Sequence, residues 1–154
     1  IKNTGAVSLS HSVYLLKDSQ DNRATASNIA RIVHERKGEV LQFFADTFNK
    51  EQEQKLNKQI AEEIVAEIKE FSKECEDFIA DVTKRISNKK FKVFELEELN
   101  EDLHKLDKWR IKLVQKHKLD SDKIEILSKE IRECKEKLDE FEEKVLQKGD
   151  TVGQ

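Results

Sequence analysis

The sequence predicts an α+β fold that is predominantly α-helical. Of its 154 residues, 40% are charged and 36% are hydrophobic, a balance typical of long amphipathic helices that expose one face. The chain contains no proline, so nothing interrupts a helix, and its four glycines are too few for the turns of an all-β sandwich. Three long stretches repeat apolar residues every three or four positions, which indicates helices with one buried face.

Three short strands are predicted in the first third of the chain. Val, Tyr and Leu favour strands, and they are concentrated in residues 6–9 and 12–16, with Ser10-His11 at the turn between them. Residues 39–48 contain three phenylalanines among other apolar residues, and this run predicts the third strand.

A helix is predicted between the second and third strands, over residues 23–36, with Asp21 or Asn22 as its N-cap. Its buried face would consist of Ile29, Ile32 and Val33. The order strand–strand–helix–strand corresponds to the last part of a ferredoxin-like unit, without the opening strand and helix.

The absent opening strand has a physical consequence. In a ferredoxin-like sheet it lies centrally, between the second and the last of the strands predicted here. Without it, residues 12–16 and 40–44 would each expose an edge. We expect a segment upstream or another chain to fill this gap, and direct pairing of those two strands would contradict the expectation.

Residues 49–86 are predicted to form one long helix. Asn49 is a suitable N-cap with acidic residues in the first turn, and Ser87-Asn88 would end the helix. Its apolar stripe consists of Leu56, Ile60, Ile64, Ile68, Phe71, Cys75, Phe78 and Val82.

Two further helices are predicted over residues 95–117 and 121–147. The leucines of the first follow a heptad in which Arg110 occupies the one polar position. Apolar residues of the second alternate by three and four, a seam suited to coiled-coil-like packing, and Ser121 would be its N-cap. The turn between them is short, so the two helices are expected to pack antiparallel and to complete a three-helix bundle with the long helix.

The chain is therefore predicted to have two parts and a tail. Residues 1–48 would form the incomplete ferredoxin-like unit, residues 49–148 the antiparallel three-helix bundle, and residues 149–154 a disordered tail. No stretch approaches the roughly 20 apolar residues of a membrane span, and no signal peptide is visible. The protein is expected to be cytoplasmic.

Cysteine and histidine do not form a recognisable metal or catalytic pattern. Cys75 and Cys134 fall on apolar stripes and are expected to be buried free thiols, with a disulfide as the alternative in an oxidising compartment. No pair of histidines has metal-ligand spacing, and neither Gly-x-Ser-x-Gly nor a glycine-rich phosphate loop occurs. Neither a metal, a cofactor nor an enzymatic activity is expected.

Two basic clusters are the candidate binding sites. Either would attract a phosphate backbone or a small oxyanion, and the alternative is that both are solvated faces of lysine-rich helices. The net charge of −3 argues against strong nonspecific binding of nucleic acid. The candidate contacts are Lys84, Arg85, Lys89, Lys90 and Lys92 in the first cluster, and Lys105, Lys108, Arg110 and Lys112 in the second, which continues to Lys116 and Lys118.

Residues 5–16, which read GAVSLSHSVYLL, carry the most specific motif of the chain. They resemble the GAV-x-L-x-x-SVY segment in the N-terminal domain of the ChrB family, the chromate-resistance regulators. Residues 39–46 resemble the strand that follows there, residues 94–109 resemble its E-L-x-K-L-x-x-W helix, and residues 134–141 resemble its closing helix. The resemblance is colinear over nearly the whole chain.

The resemblance implies a cytoplasmic, chromate-responsive transcriptional regulator that binds operator DNA. Three differences limit it: the family's upstream strand and basic helix are missing, as is the C-terminal domain of full-length members, and residues 116–122 replace an aromatic-containing stretch. DNA, chromate or another oxyanion, and a second copy of the chain are the candidate partners. The alternative function is a helical structural or protein-interaction module that does not bind DNA.

Chromate is a dianion, so a site for it should use Arg or Lys together with backbone N–H groups. Arg31 and Arg36 on the small helix and Arg110 on the bundle are the candidate arginines. The alternative for Arg110 is a purely structural ion pair between helices, for example with a glutamate of residues 121–147.

Overall fold

The computed structural model describes residues 4–152, with side chains up to residue 149. In this part of the chain two short strands precede four helices, which confirms the predicted α+β, mainly helical class. Contacts divide the chain into two compact units, the first ending at Glu63 and the second beginning at Ile64. This division lies inside the long helix, whereas the sequence places the domain boundary between residues 48 and 49.

Strands β1 (Val7–Ser10) and β2 (Val13–Leu15) form an antiparallel hairpin, as predicted. The predicted third strand over residues 39–48 is wrong, because the sheet of the described chain contains only β1 and β2. A strand forms where a neighbouring strand satisfies its backbone hydrogen bonds, and no such neighbour lies beside this segment among the residues that the structure describes. Residues 12–16 and 40–44 are not paired with each other, so the expectation that another segment or chain fills the gap stays a prediction.

Helix α1 (Gln20–Glu35) begins earlier than predicted because Ser19 is its N-cap. The Ser19 hydroxyl accepts a hydrogen bond from the backbone N–H of Asn22 at 3.1 Å. The predicted caps, Asp21 and Asn22, therefore lie inside the first turn. Serine and asparagine are about equally good caps, so composition alone did not decide between them.

The apolar face of α1 is only partly covered. No residue of this helix is buried, and Ile32 remains 38% exposed. The prediction that Ile29, Ile32 and Val33 form a buried face is therefore wrong. The physical reason is the failure of residues 39–48 to form the strand that would have packed on them.

Helix α2 (Lys50–Ser87) matches the predicted long helix, and its predicted cap is confirmed. The Asn49 side-chain oxygen accepts a hydrogen bond from the backbone N–H of Gln52 at 3.0 Å. Helix α3 (Val93–His117) begins two residues earlier than predicted.

Helix α4 (Ser121–Val152) is capped by Asp120, not by the predicted Ser121. The Asp120 carboxylate accepts a hydrogen bond from the backbone N–H of Lys123 at 2.9 Å. The helix also continues through Gly149, where a disordered tail is predicted to begin. A single glycine lowers helix propensity by about 1 kcal/mol but does not block the helix. Residues 153 and 154 of the predicted tail lie outside the described residues.

The second unit is the predicted antiparallel three-helix bundle. The end of α2 meets the start of α3 through the Arg85–Glu95 ion pair, and Glu67 earlier in α2 meets Lys116 near the end of α3. One apolar core joins the three helices. It consists of Phe71, Cys75, Phe78, Val82, Leu99, Leu113, Leu119, Leu127, Cys134, Leu138, Phe141 and Val145.

The two cysteines are neighbours in this core. Cys75 and Cys134 are buried free thiols, as predicted, and the Cys134 thiol donates a hydrogen bond to the Cys75 carbonyl oxygen at 3.6 Å. A side-chain hydrogen bond in which the Cys75 thiol donates to the Cys134 sulfur, together with burial, raises the pKa of Cys75. Cys75 therefore stays protonated and poorly nucleophilic.

Candidate anion-binding site

The first basic cluster lies where α2 ends and α3 begins. Lys89 adopts the left-handed conformation with φ of 54°, and its N–H donates to the Ile86 carbonyl oxygen at 3.1 Å. The next N–H, that of Lys90, donates to the Arg85 carbonyl oxygen at 3.0 Å. This pair of bonds ends α2 in a Schellman motif and turns the chain directly into α3.

Four lysines of this turn, which we call the turn cluster, have exposed side chains. Among the described residues none of the four forms an ion pair with a carboxylate. The Lys92 ammonium lies 5.7 Å from the ring centroid of Phe94. The turn cluster consists of Lys84, Lys89, Lys90 and Lys92.

The turn cluster surrounds a helix start that no side chain caps. Lys92 is the N-cap residue of α3, with an extended backbone, and its side chain makes no capping hydrogen bond. The first N–H groups of a helix lack intrahelical acceptors and carry its positive dipole end. The acidic residue of the first turn, Glu95, is paired with Arg85. Lysine charge and helix dipole therefore both favour an anion at this turn.

Arg85, the fifth candidate of the first cluster, has a structural role. Its guanidinium pairs with Asp81 at 3.1 Å, with Glu98 at 3.3 Å and with Glu95, and only 14% of its side chain is exposed. Burial alone would lower the pKa of Arg85, but the hydrogen bonds to Glu98 and Asp81 outweigh it and the pKa is raised. These three carboxylates already neutralise the guanidinium charge that an external anion would need.

The lysines of the second basic cluster have different electrostatic surroundings. Lys105, Lys108 and Lys112 share an exposed face of α3, as their spacing of three and four residues requires. However, Lys105 lies 4.0 Å from Asp102 and lines a groove whose other walls carry acidic residues. The carboxylates of this groove belong to Glu74, Asp77, Asp81 and Asp102. Their negative charge opposes binding of an anion beside Lys105.

The arginines considered for an oxyanion are paired or lie elsewhere. Arg110 forms an ion pair with Asp107 at 2.8 Å in its own helix, so the expectation that its ion pair joins two helices is wrong. A carboxylate three residues away lies on the adjacent turn and is the nearest acceptor. Arg31 pairs with Glu35 at 2.5 Å, and Arg36 is the C-cap of α1.

A partly buried ion cluster that the sequence analysis missed lies near the end of α3. The Lys116 ammonium donates to Glu67 Oε1 at 2.7 Å, and His117 Nε2 lies 3.1 Å from Glu67 Oε2. Lys116 therefore does not belong to an open basic surface. The available signal was the position of Glu67, three residues after Ile64 and four before Phe71, on the flank of the apolar stripe of α2.

This ion cluster makes the bundle sensitive to acid. Burial alone would raise the pKa of Glu67, but hydrogen bonds from Lys116 and His117 outweigh it and the pKa lies below its ordinary value of 4.5. A depressed folded-state pKa stabilises the fold above the unfolded-state pKa, and this stability is lost as pH falls through the folded-state value. We expect Glu67→Gln to destabilise the bundle at neutral pH, with the difference from wild type shrinking below about pH 4.5.

Chemical denaturation at a series of pH values measures this difference. Glu133→Gln is the matched control, because the Glu133 side chain is half-exposed and lies 4.0 Å from Lys129. The control should unfold like the wild type at every pH. A constant difference between Glu67→Gln and wild type down to low pH would contradict the ionic role of Glu67.

Metal and membrane sites do not emerge from the described chain. Among residues 4–149, no group of three or more His, Cys, Asp or Glu side chains is placed to hold a metal ion. No described helix is both long enough and apolar enough to cross a membrane.

Comparison with known protein families yields a match over almost the whole chain. The family model described as Protein ChrB, N-terminal, matches residues 1–152. No curated protein and no solved structure matches the chain.

Proposed function

The chain belongs to the ChrB N-terminal family, and on that premise we propose that it is part of a cytoplasmic, chromate-responsive transcriptional regulator that binds DNA. Family membership supports a protein related to chromate resistance, and the family is not a known enzyme family. What we propose beyond family membership is that the chain takes part in transcriptional regulation and binds DNA.

The observation that carries the proposal is the turn cluster at the uncapped start of α3. Its four exposed lysines are free of carboxylate partners in the described chain, and they flank N–H groups that have no intrahelical acceptor. Lysines and helix N-termini are common phosphate contacts, and such contacts position a protein on DNA without reading its sequence. We therefore assign phosphate contacts to the turn cluster, and a smaller contribution to Lys108 and Lys112.

Chromate fits the same chemistry. It is an oxyanion, and the ammonium and N–H donors that hold a phosphate group would hold it as well. We propose that chromate competes with DNA at this surface and releases it.

The proposal is tested by fluorescence anisotropy of the full chain on DNA from its own upstream region, across a salt series, with chromate or with sulfate added. Release by chromate at concentrations where sulfate has no effect would support a chromate-responsive regulator. Equal release by both anions would mean that the site does not distinguish chromate from other dianions, and would contradict chromate sensing at this site.

Neutralising the turn cluster should weaken DNA binding. In Lys89→Gln/Lys90→Gln/Lys92→Gln, we expect the slope of log affinity against log salt to fall by about 0.9 for each lost phosphate contact. The matched control is Lys69→Gln/Lys73→Gln/Lys144→Gln, which removes the same charge from exposed lysines elsewhere in the described bundle. An equal loss of affinity in both variants would mean that only net charge matters, and would contradict the assigned site.

A helical protein-interaction module without DNA binding is the second candidate. The observation that favours it is the exposed apolar segment of residues 40–48 in the first unit. It would be supported by anisotropy that shows only a weak, salt-sensitive background on every DNA.

A further inference from the structure

Residues 39–48, which we call the open segment, expose apolar side chains far more than the rest of the described chain. Leu41, Phe43, Phe44 and Phe48 are 82%, 83%, 79% and 87% exposed. Although 40% of the chain is charged, residues 40–45 carry no charge. Contiguous apolar surface of this kind marks an interaction site.

The backbone of the open segment is also unpaired. It forms neither helix nor strand, and no backbone–backbone hydrogen bond joins it to the described residues. None of its residues has positive φ, so its backbone is compatible with a strand. A run of free N–H and C=O groups beside apolar side chains is a template for pairing with another strand.

Two side chains hold the open segment against α1. The Gln42 amide donates a hydrogen bond to the Ala26 carbonyl oxygen at 2.9 Å, and the Arg23 guanidinium lies 4.7 Å from the ring centroid of Phe44. Side chains two residues apart share a face of a strand, so pairing would place Leu41 and Phe43 on the opposite face from Gln42 and Phe44. The segment is thus anchored on one side and open on the other.

We propose that the open segment pairs with the open segment of a second copy of this chain, as two antiparallel strands across a two-fold axis. A two-fold interface needs a surface that is complementary to itself, and the uncharged, mainly apolar residues 40–45 with their free backbone groups meet this requirement. Its three phenylalanines alone expose on the order of 400–500 Å². With Leu41 added, the exposed apolar area of the segment stays below the roughly 800 Å² that each partner contributes to a standard interface, so the backbone hydrogen bonds of the paired strands must supply the rest of the interface.

The oligomeric state of the full chain tests the proposal. Sedimentation velocity over a wide concentration range should show a species of twice the 18.0 kDa chain mass. Phe43→Glu should weaken this dimer by about thirtyfold, the factor for a hot-spot loss of about 2 kcal/mol. The control is Ile126→Glu, an exposed apolar position of α4 in the other unit, which should leave the dimer intact.

Hydrogen exchange distinguishes pairing of two strands from association through apolar side chains alone. Amides of residues 40–45 should be protected in the dimer and lose protection in Phe43→Glu, whose helices can be verified by circular dichroism. A monomer at every concentration would overturn the proposal and leave a different polypeptide segment as the occupant. Open-ended oligomers, a dimer without protected amides, or a dimer that Phe43→Glu leaves unchanged would overturn it as well.

Discussion

Phe71→Ala should lower the free energy of unfolding of the bundle by about 3–5 kcal/mol, the range for removing a buried aromatic ring. Phe71 is fully buried in the core, and its ring meets Trp109 edge-on with centroids 5.4 Å apart. The substitution removes both this ring contact and the packing of α2 on α3, and it leaves a cavity. Urea unfolding followed by circular dichroism measures the loss without depending on Trp109, whose fluorescence would change with its neighbour.

Phe94→Ala is the control for this prediction. Phe94 lies at the start of α3 in the same unit, but its side chain is 59% exposed. Its removal should change the free energy of unfolding by no more than about 0.5 kcal/mol. Similar losses in the two variants would mean that the described core does not hold the bundle together.

Arg85→Met should destabilise the bundle by about 2 kcal/mol at neutral pH, because it leaves the Glu95 carboxylate without its partner. The Glu95 side chain is only 14% exposed, like that of Arg85, so water cannot fully replace the lost ion pair. Asp81 and Glu98 are 45% and 55% exposed and can be rehydrated, which keeps the loss below that of a fully buried ion pair. The measurement is again urea unfolding.

Two further variants separate the ion pair from the loss of the arginine itself. Adding Glu95→Leu to Arg85→Met removes the unpaired carboxylate, so most of the stability should return. Arg132→Met breaks a 2.7 Å pair with Glu125 whose partners are both more than half exposed, and it should cost less than about 0.5 kcal/mol. If the double variant is no more stable than Arg85→Met, the loss of unfolding free energy comes from packing of the aliphatic part of Arg85 and not from the unpaired carboxylate.

The helices could be predicted from the sequence because helical periodicity is a local property. The stripe that includes Phe71, Cys75 and Phe78 is visible in residue spacing alone, and the buried positions of α2 lie on it. The third strand could not be predicted in the same way. Residues 39–48 have strand-like composition, but a strand also needs a partner for its backbone, and that partner is not encoded in the segment itself.

The positive charge of the candidate site could be predicted from the sequence, but the ion-pair partners of its residues could not. The run of basic residues from Lys84 to Lys92 is plain in the sequence, and Arg85 looks equivalent to its neighbours there. What removes Arg85 from the proposed binding surface is a set of carboxylates on two helices, of which Glu95 and Glu98 lie across a turn. Such contacts depend on how α2 packs on α3, and spacing within one helix does not reveal them.

The reactivity of the buried cysteine pair reports on opening of the bundle. Cys75 and Cys134 lie side by side in the core with at most 2% exposure, so an added thiol reagent meets them only during moments when the helices separate. The rate of alkylation in native buffer therefore measures how often the bundle opens locally. No other cysteine occurs in the chain, so the alkylation signal needs no engineered label and comes only from the core of the bundle.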